Sequence, residues 1–163
     1  MMIPHEKTLR NATLNDFHFD AASNDTNKTF LQKVKPENKK DIAPIKILVV
    51  EDTEICQKVV LFTLKQPTYL TDLAVTGKEA LEKYQQGYDV ILLDLGLPDM
   101  SGLDLCRHIR KKIGDVNTPI IAYSAMSDSF LEECIEAGFN QVLLKPIAGK
   151  VLDQVIKNLV EKE

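Results

Sequence analysis

Val90-Ile91-Leu92-Leu93-Asp94-Leu95-Gly96-Leu97-Pro98-Asp99-Met100-Ser101-Gly102 decides the architecture of this 163-residue chain. Four consecutive apolar residues, two of them β-branched, specify a strand buried on both faces, and Asp94 follows where that strand leaves the sheet. A carboxylate is thereby held at the rim of a core. Gly96-Leu97-Pro98-Asp99 carries turn chemistry, and Ser101 can cap a helix whose apolar face runs through Leu103, Leu105, Cys106 and Ile109. Strand, acidic tip, tight loop and helix make the unit of an open α/β sheet, in which ligands gather at the carboxyl edge of the strands.

The same unit recurs on both sides. Ile45 to Val50 predicts a strand ending at Glu51-Asp52, then a helix carrying Ile55, Val59, Val60 and Leu64 that the Gln66-Pro67 junction stops. Tyr69 to Val75 is a short strand of mixed polarity, suited to a sheet edge. The helix opened by Thr76 or Gly77 shares Ala80, Leu81 and Tyr84 on one face and ends near Gly87. Pro119 to Ala125 predicts a fourth strand with Ser124 at its edge, followed by a helix from about Ser127 to Ala137. That helix turns Phe130, Leu131, Cys134 and Ile135 inward and is capped by Gly138. Gln141 to Pro146 is a fifth strand presenting Lys145. A last helix, about Lys150 to Val160, lays Val151, Leu152, Val155, Ile156 and Leu159 on the sheet. Five such units require parallel strands joined by right-handed crossovers, hence a three-layer α/β sandwich.

Composition narrows the function classes. With 44% hydrophobic and 27% charged residues the chain has the makeup of one soluble domain. A net charge of −4 argues against a general nucleic-acid-binding surface. Residues 1–43 are rich in Asn, Asp, Lys and Thr with scattered apolar positions, so they are expected to form a flexible or loosely docked arm before a domain at 44–163. No signal-peptide core and no membrane-length apolar run is visible, and a cytoplasmic protein without membrane contact is expected. Cys56, Cys106 and Cys134 lack any ligand or disulfide spacing and read as small buried side chains. There is no Gly-rich nucleotide loop after the first strand.

The strand tips bring together Glu51, Asp52 and Asp94 as oxygen ligands, Ser124 as a hydroxyl and Lys145 as a cation. Three clustered carboxylates repel one another unless a cation joins them, and an oxygen-only set without His or Cys suits Mg²⁺ or Mn²⁺. Lys145 beside such an ion would neutralise an incoming phosphoryl group. Ser124 could hydrogen-bond it, and Asp94 could be the nucleophile that accepts it.

Residues 45 to 161 resemble the response-regulator receiver domains of two-component phosphorelay signalling. The resemblance is carried by Ile47-Leu48-Val49-Val50-Glu51-Asp52, the Leu92 to Gly102 segment, Ile121-Ala122-Tyr123-Ser124-Ala125 and Leu144-Lys145-Pro146-Ile147. It implies a flavodoxin-like (βα)5 sheet of order 2-1-3-4-5, with Asp94 as phosphoacceptor. It also implies Mg²⁺ among Glu51, Asp52, Asp94 and the Gly96 carbonyl, and Ser124 and Lys145 holding the phosphoryl group. Glu51 stands where many members carry Asp, and its extra methylene could move its carboxylate or favour contact with the metal through water. Val142 stands where many carry an aromatic residue, which excludes an aromatic rotamer switch at that position.

The wording around Val50-Glu51-Asp52-Thr53-Glu54 is similar to receiver modules of hybrid sensor histidine kinases. His5, His18 and His108 have no donor context, so the phosphoryl group is expected from a histidine kinase or histidine phosphotransfer protein, with an unidentified protein downstream. The reaction would be self-catalysed aspartyl phosphorylation with autodephosphorylation rather than conventional turnover. Two rival readings are an interaction module that works without phosphorylation and a small-molecule phosphatase; short loops, which predict a shallow site, argue against the second.

Overall fold

The computed structural model describes residues 43–125 and 130–161. The expected arm at 1–43 lies outside them except for Ala43, as does the expected start of the fourth helix at Ser127. In chain order the elements are β1 (Ile45–Val50), α1 (Glu54–Thr63), β2 (Tyr69–Ala74), α2 (Gly77–Tyr84), β3 (Val90–Leu93) and α3 (Gly102–His108). A π-helical turn, Ile109–Ile113, extends α3. β4 (Ile120–Ser124), α4 (Leu131–Ala137), β5 (Gln141–Leu144) and α5 (Gly149–Val160) complete the domain. The five strands are parallel in the order β2-β1-β3-β4-β5, the flavodoxin-like topology expected.

Alternation along the strands divides the core into two layers. Leu48, Val50, Ile91, Leu93, Ile120 and Ala122 face α2, α3 and α4, while Ile47, Val49, Val90, Leu92, Ile121 and Leu143 face α1 and α5. β3, in the middle, is buried on both sides over its whole length. That explains its unbroken apolar run.

Three helices bury fewer apolar residues than expected. In α1, Val60 and Leu64 pack on the sheet, whereas Ile55, Val59 and Phe62 are exposed, Ile55 by 74% and Phe62 by 81%. A turn of 100° per residue places the two sets on opposite sides of the helix, and one sheet can cover only one of them. In α4 the small residues Cys134 and Ala137 face inward and Leu131 and Ile135 face outward, because α3 comes close enough for the Cys106 Sγ to reach the Ala137 carbonyl at 3.4 Å. Val151 of α5 is exposed as well, while Leu152 and Ile156 are buried. Cys106 and Cys134 are buried as expected, and Cys56 is only partly so.

The start of α3 is built by close approach. A Cβ added at Gly102 would lie 2.3 Å from the Asp94 carbonyl oxygen and 2.8 Å from the Leu95 Cα, both backbone atoms that cannot swing aside. The Gly102 amide donates to the Leu95 carbonyl at 2.9 Å, and the Ser101 hydroxyl accepts from the Leu103 amide. We predict that Gly102→Ala lowers unfolding free energy by ~1–3 kcal/mol, the usual cost of overpacking. Urea denaturation will read the loss.

Candidate functional site

Glu51, Asp94 and Lys145 each sit one residue past a named strand, yet their own backbone is still in the parallel ladder. The Glu51 amide donates to the Ala74 carbonyl at 3.0 Å, the Asp94 amide to Val50 at 2.9 Å and the Lys145 amide to Ser124 at 2.9 Å. Each acid and the lysine therefore leaves from a fixed backbone.

Lys145 closes the site. Its Nζ donates to Glu51 Oε2 at 2.5 Å and to Asp94 Oδ2 at 2.8 Å, joining β5 to β1 and β3. Glu51 is almost wholly buried, 2% exposed, and its other oxygen accepts from the Thr53 amide at 3.2 Å. Gln57 of α1 donates to the Glu51 carbonyl at 2.9 Å. Burial pushes the Glu51 carboxyl above its ordinary value, with the neighbouring Asp94 adding to the rise and Lys145 opposing it. Burial alone would lower the Lys145 ammonium, but its hydrogen bonds to Asp94 and Glu51 and the negative charge of both acids hold it above the ordinary lysine value. One cation between two acids leaves a net negative site.

Asp52 is exposed and accepts from the Thr53 hydroxyl at 3.2 Å. Ligand oxygens of Glu51, Asp52 and Asp94 lie within 4.8 Å of one another. This all-oxygen, net-negative set fits a hard divalent cation by its donor chemistry. Ser124 is buried at the end of β4, beside Asp94's strand in the sheet, and the register pairs it with Leu144 of β5. Gly96 is exposed in the loop after Asp94, bridged to Ser101, with its amide 3.4 Å from Asp94 Oδ1. The expected site residues thus gather at one edge of the sheet, with Glu51 tied to lysine.

Sequence reasoning assigned Asp99 only turn chemistry. Its two carboxylate oxygens accept from the Gly77 and Lys78 amides at 2.8 and 2.9 Å, so the loop after Asp94 is fastened to the start of α2. Thr76 satisfies the Glu79 amide and Glu79 returns to the Val75 amide, completing that helix end. The Asp99 partners are 22 and 21 residues away in sequence, too far for a local pattern to reveal.

The response regulator receiver domain family matches residues 47–157, and the chain belongs to that family. It is 36% identical over 123 residues, 74% of its length, to the aerobic respiration control sensor protein ArcB of Escherichia coli (strain K12), 16% of which is covered. It is 38% identical over 120 residues to the response regulator ArlR of Staphylococcus saprophyticus, covering 72% of this chain and 53% of ArlR. The receiver domain of sensor histidine kinase PA1611 from Pseudomonas aeruginosa PAO1 matches with a TM-score of 0.67 and 31% identity, over 74% of this chain and all of that one. The PA1611 structure carries a magnesium ion coordinated in its active site cleft. A receiver fold with an acidic cluster at this edge is consistent with phosphoaspartate chemistry. No helix among the described residues is long and apolar enough to cross a membrane.

The two amides hold the Asp99 carboxyl below the usual carboxylate range. A group with a lowered folded-state pKa stabilises the fold above its unfolded value and loses that contribution as pH falls through the folded one. Asp99→Ala should therefore have a lower urea midpoint than wild type at pH 7. The gap should shrink once the pH drops below the ordinary aspartate value of 3.8.

Proposed function

We propose that this receiver takes a phosphoryl group from a phosphohistidine onto the Asp94 carboxylate, with a divalent ion held by Asp52, Asp94, the Gly96 carbonyl and, directly or through water, Glu51. The observation that carries the reading is Lys145 spanning Glu51 and Asp94 beside the three-carboxylate cluster. The Nζ stands where an oxygen of the arriving phosphoryl group needs a positive charge. When bound, Mg²⁺ supplies further charge neutralisation at the same oxygens.

In the transfer, an Asp94 carboxylate oxygen forms the O–P bond as the histidine N–P bond breaks. The imidazole nitrogen keeps the electron pair and takes up a proton. Ser124 donates its hydroxyl to a phosphoryl oxygen, and Lys145 exchanges a carboxylate contact for one to the phosphoryl group. Hydrolysis of the acyl phosphate at the same site accounts for autodephosphorylation. Residues 44–163 form the receiver and 1–43 an arm, in a cytoplasmic protein.

The donor is a histidine kinase or histidine phosphotransfer protein, a reading supported by the likeness to ArcB and to the PA1611 receiver. The exposed face of α1 supports a helical donor surface: Ile55, Val59 and Phe62 form an apolar stripe directly after the β1 acids. The charge gained at Asp94 then changes the binding of a downstream protein.

Incubation with acetyl phosphate and Mg²⁺ should add about 80 Da, one phosphoryl group, to the wild-type chain by intact-mass analysis, and none to Asp94→Ala. Labelling of Asp94→Ala with an acid-stable, base-labile linkage would overturn the assignment. Phe62→Asp should slow transfer from a phosphohistidine protein by about tenfold, the loss of one well-packed apolar contact, with a smaller effect on labelling by acetyl phosphate.

A further inference from the structure

We infer that Tyr123 is a positioning residue for Lys145, its ring forming the platform on which the lysine crosses β4 to reach Asp94 and Glu51. The inference rests on the proposed phosphotransfer at Asp94 and extends it to a residue of the strand interior.

The sheet order makes such a platform necessary. β4 lies between β5, which carries Lys145, and β3, which carries Asp94, and β1 with Glu51 is one strand further. At ~4.8 Å per strand, the Lys145 ammonium must travel across β4 to reach both acids. Alternation sets what it meets there. Ile121 and Tyr123 project to the α1 and α5 side of the sheet, as do Val49 and Leu92, which precede Glu51 and Asp94 by two residues on their own strands. Leu143, two residues before Lys145, projects to the same side. Tyr123 is thus the β4 side chain under the path. Its ring centroid is 5.3 Å from the Lys145 Nζ, within range for attraction between an ammonium and a π face.

Both partners are held. Tyr123 is 6% exposed, and with Lys145 it borders a small groove of about 130 Å³ lined also by Ile55, Cys56, Val59 and Pro146. A flexible four-carbon side chain loses much rotational freedom when its head is fixed, and a rigid aromatic floor reduces the orientations open to it beforehand. An aliphatic residue at 123 would fill space without attracting the ammonium. The lysine would then spend less time aimed at the acceptor.

The test compares Tyr123→Phe, which keeps the π face, with Tyr123→Leu, which keeps only apolar bulk. In proton–carbon NMR spectra, ring current should shift the Lys145 ε-methylene signals upfield in wild type and in Tyr123→Phe, with the shift lost in Tyr123→Leu; Lys145→Arg supplies the assignment. Phosphorylation by acetyl phosphate at saturating Mg²⁺ should be about fivefold slower in Tyr123→Leu, within twofold of wild type in Tyr123→Phe, and unaltered by Tyr123→Leu once Lys145→Ala is present. An unshifted Lys145 signal in wild type would overturn the inference. An equal loss of rate from Tyr123→Leu with and without Lys145 would also overturn it, because the ring would then act through the core alone. Absence of phosphorylation in wild type would count against the proposed function instead, and the NMR comparison would still decide the role of Tyr123.

Discussion

The Lys145 ammonium, held at once by Glu51 and Asp94, is the interaction on which the rest of the site depends. Two acids from β1 and β3 stand close together at a partly desolvated edge, where their mutual repulsion is stronger than in water. A single cation from β5 offsets it. Removing one partner from such a buried set leaves a charge without compensation, a change that costs ~3–5 kcal/mol in general. The bridge also ties the outer strand of one half of the sheet to the central strands. Charge added at Asp94, as the proposed phosphotransfer requires, would redistribute contacts that already span the sheet.

Rigidity around that bridge comes from backbone rather than from further ion pairs. The ladder continues through the amides of Glu51, Asp94 and Lys145, so the three side chains start from fixed points. The loop after Asp94 is held from two directions. Gly102 allows α3 to begin against the Asp94 carbonyl, and the Asp99 carboxylate fastens the loop to α2. In the proposed function, this short, secured loop leaves a protein donor room beside the acidic cluster, and the apolar stripe of α1 next to the β1 acids gives that donor a surface to cover.

The difference between the expected and observed faces of α1 and α4 has one cause. A helix with apolar residues on two sides carries no mark of which side meets the sheet, since periodicity alone is satisfied by either. The choice falls to packing. On α4, α3 approaches closely enough to demand Cys134 and Ala137, which leaves Leu131 and Ile135 outside. On α1, Val60 and Leu64 fill the layer formed with α5, and Ile55, Val59 and Phe62 remain at the surface.

The linear sequence determined five parallel strand–helix units and the convergence of Glu51, Asp52, Asp94, Ser124 and Lys145, because parallel strands joined by right-handed crossovers bring every strand tip to one edge, while the strand order was legible only through the resemblance to receiver domains. Alternating strand and helix patterns, each ended by a polar residue, were enough for that. Only the tertiary structure decided what those tips touch. Lys145 bridges two particular acids, Asp99 closes the end of a helix 21 residues away, and Tyr123 lies under the lysine because β4 separates β5 from β3. Such contacts join residues far apart along the chain, and no local period or turn motif encodes them. They depend on strand spacing, register and the volume left by neighbouring side chains, which exist only once the sheet has formed.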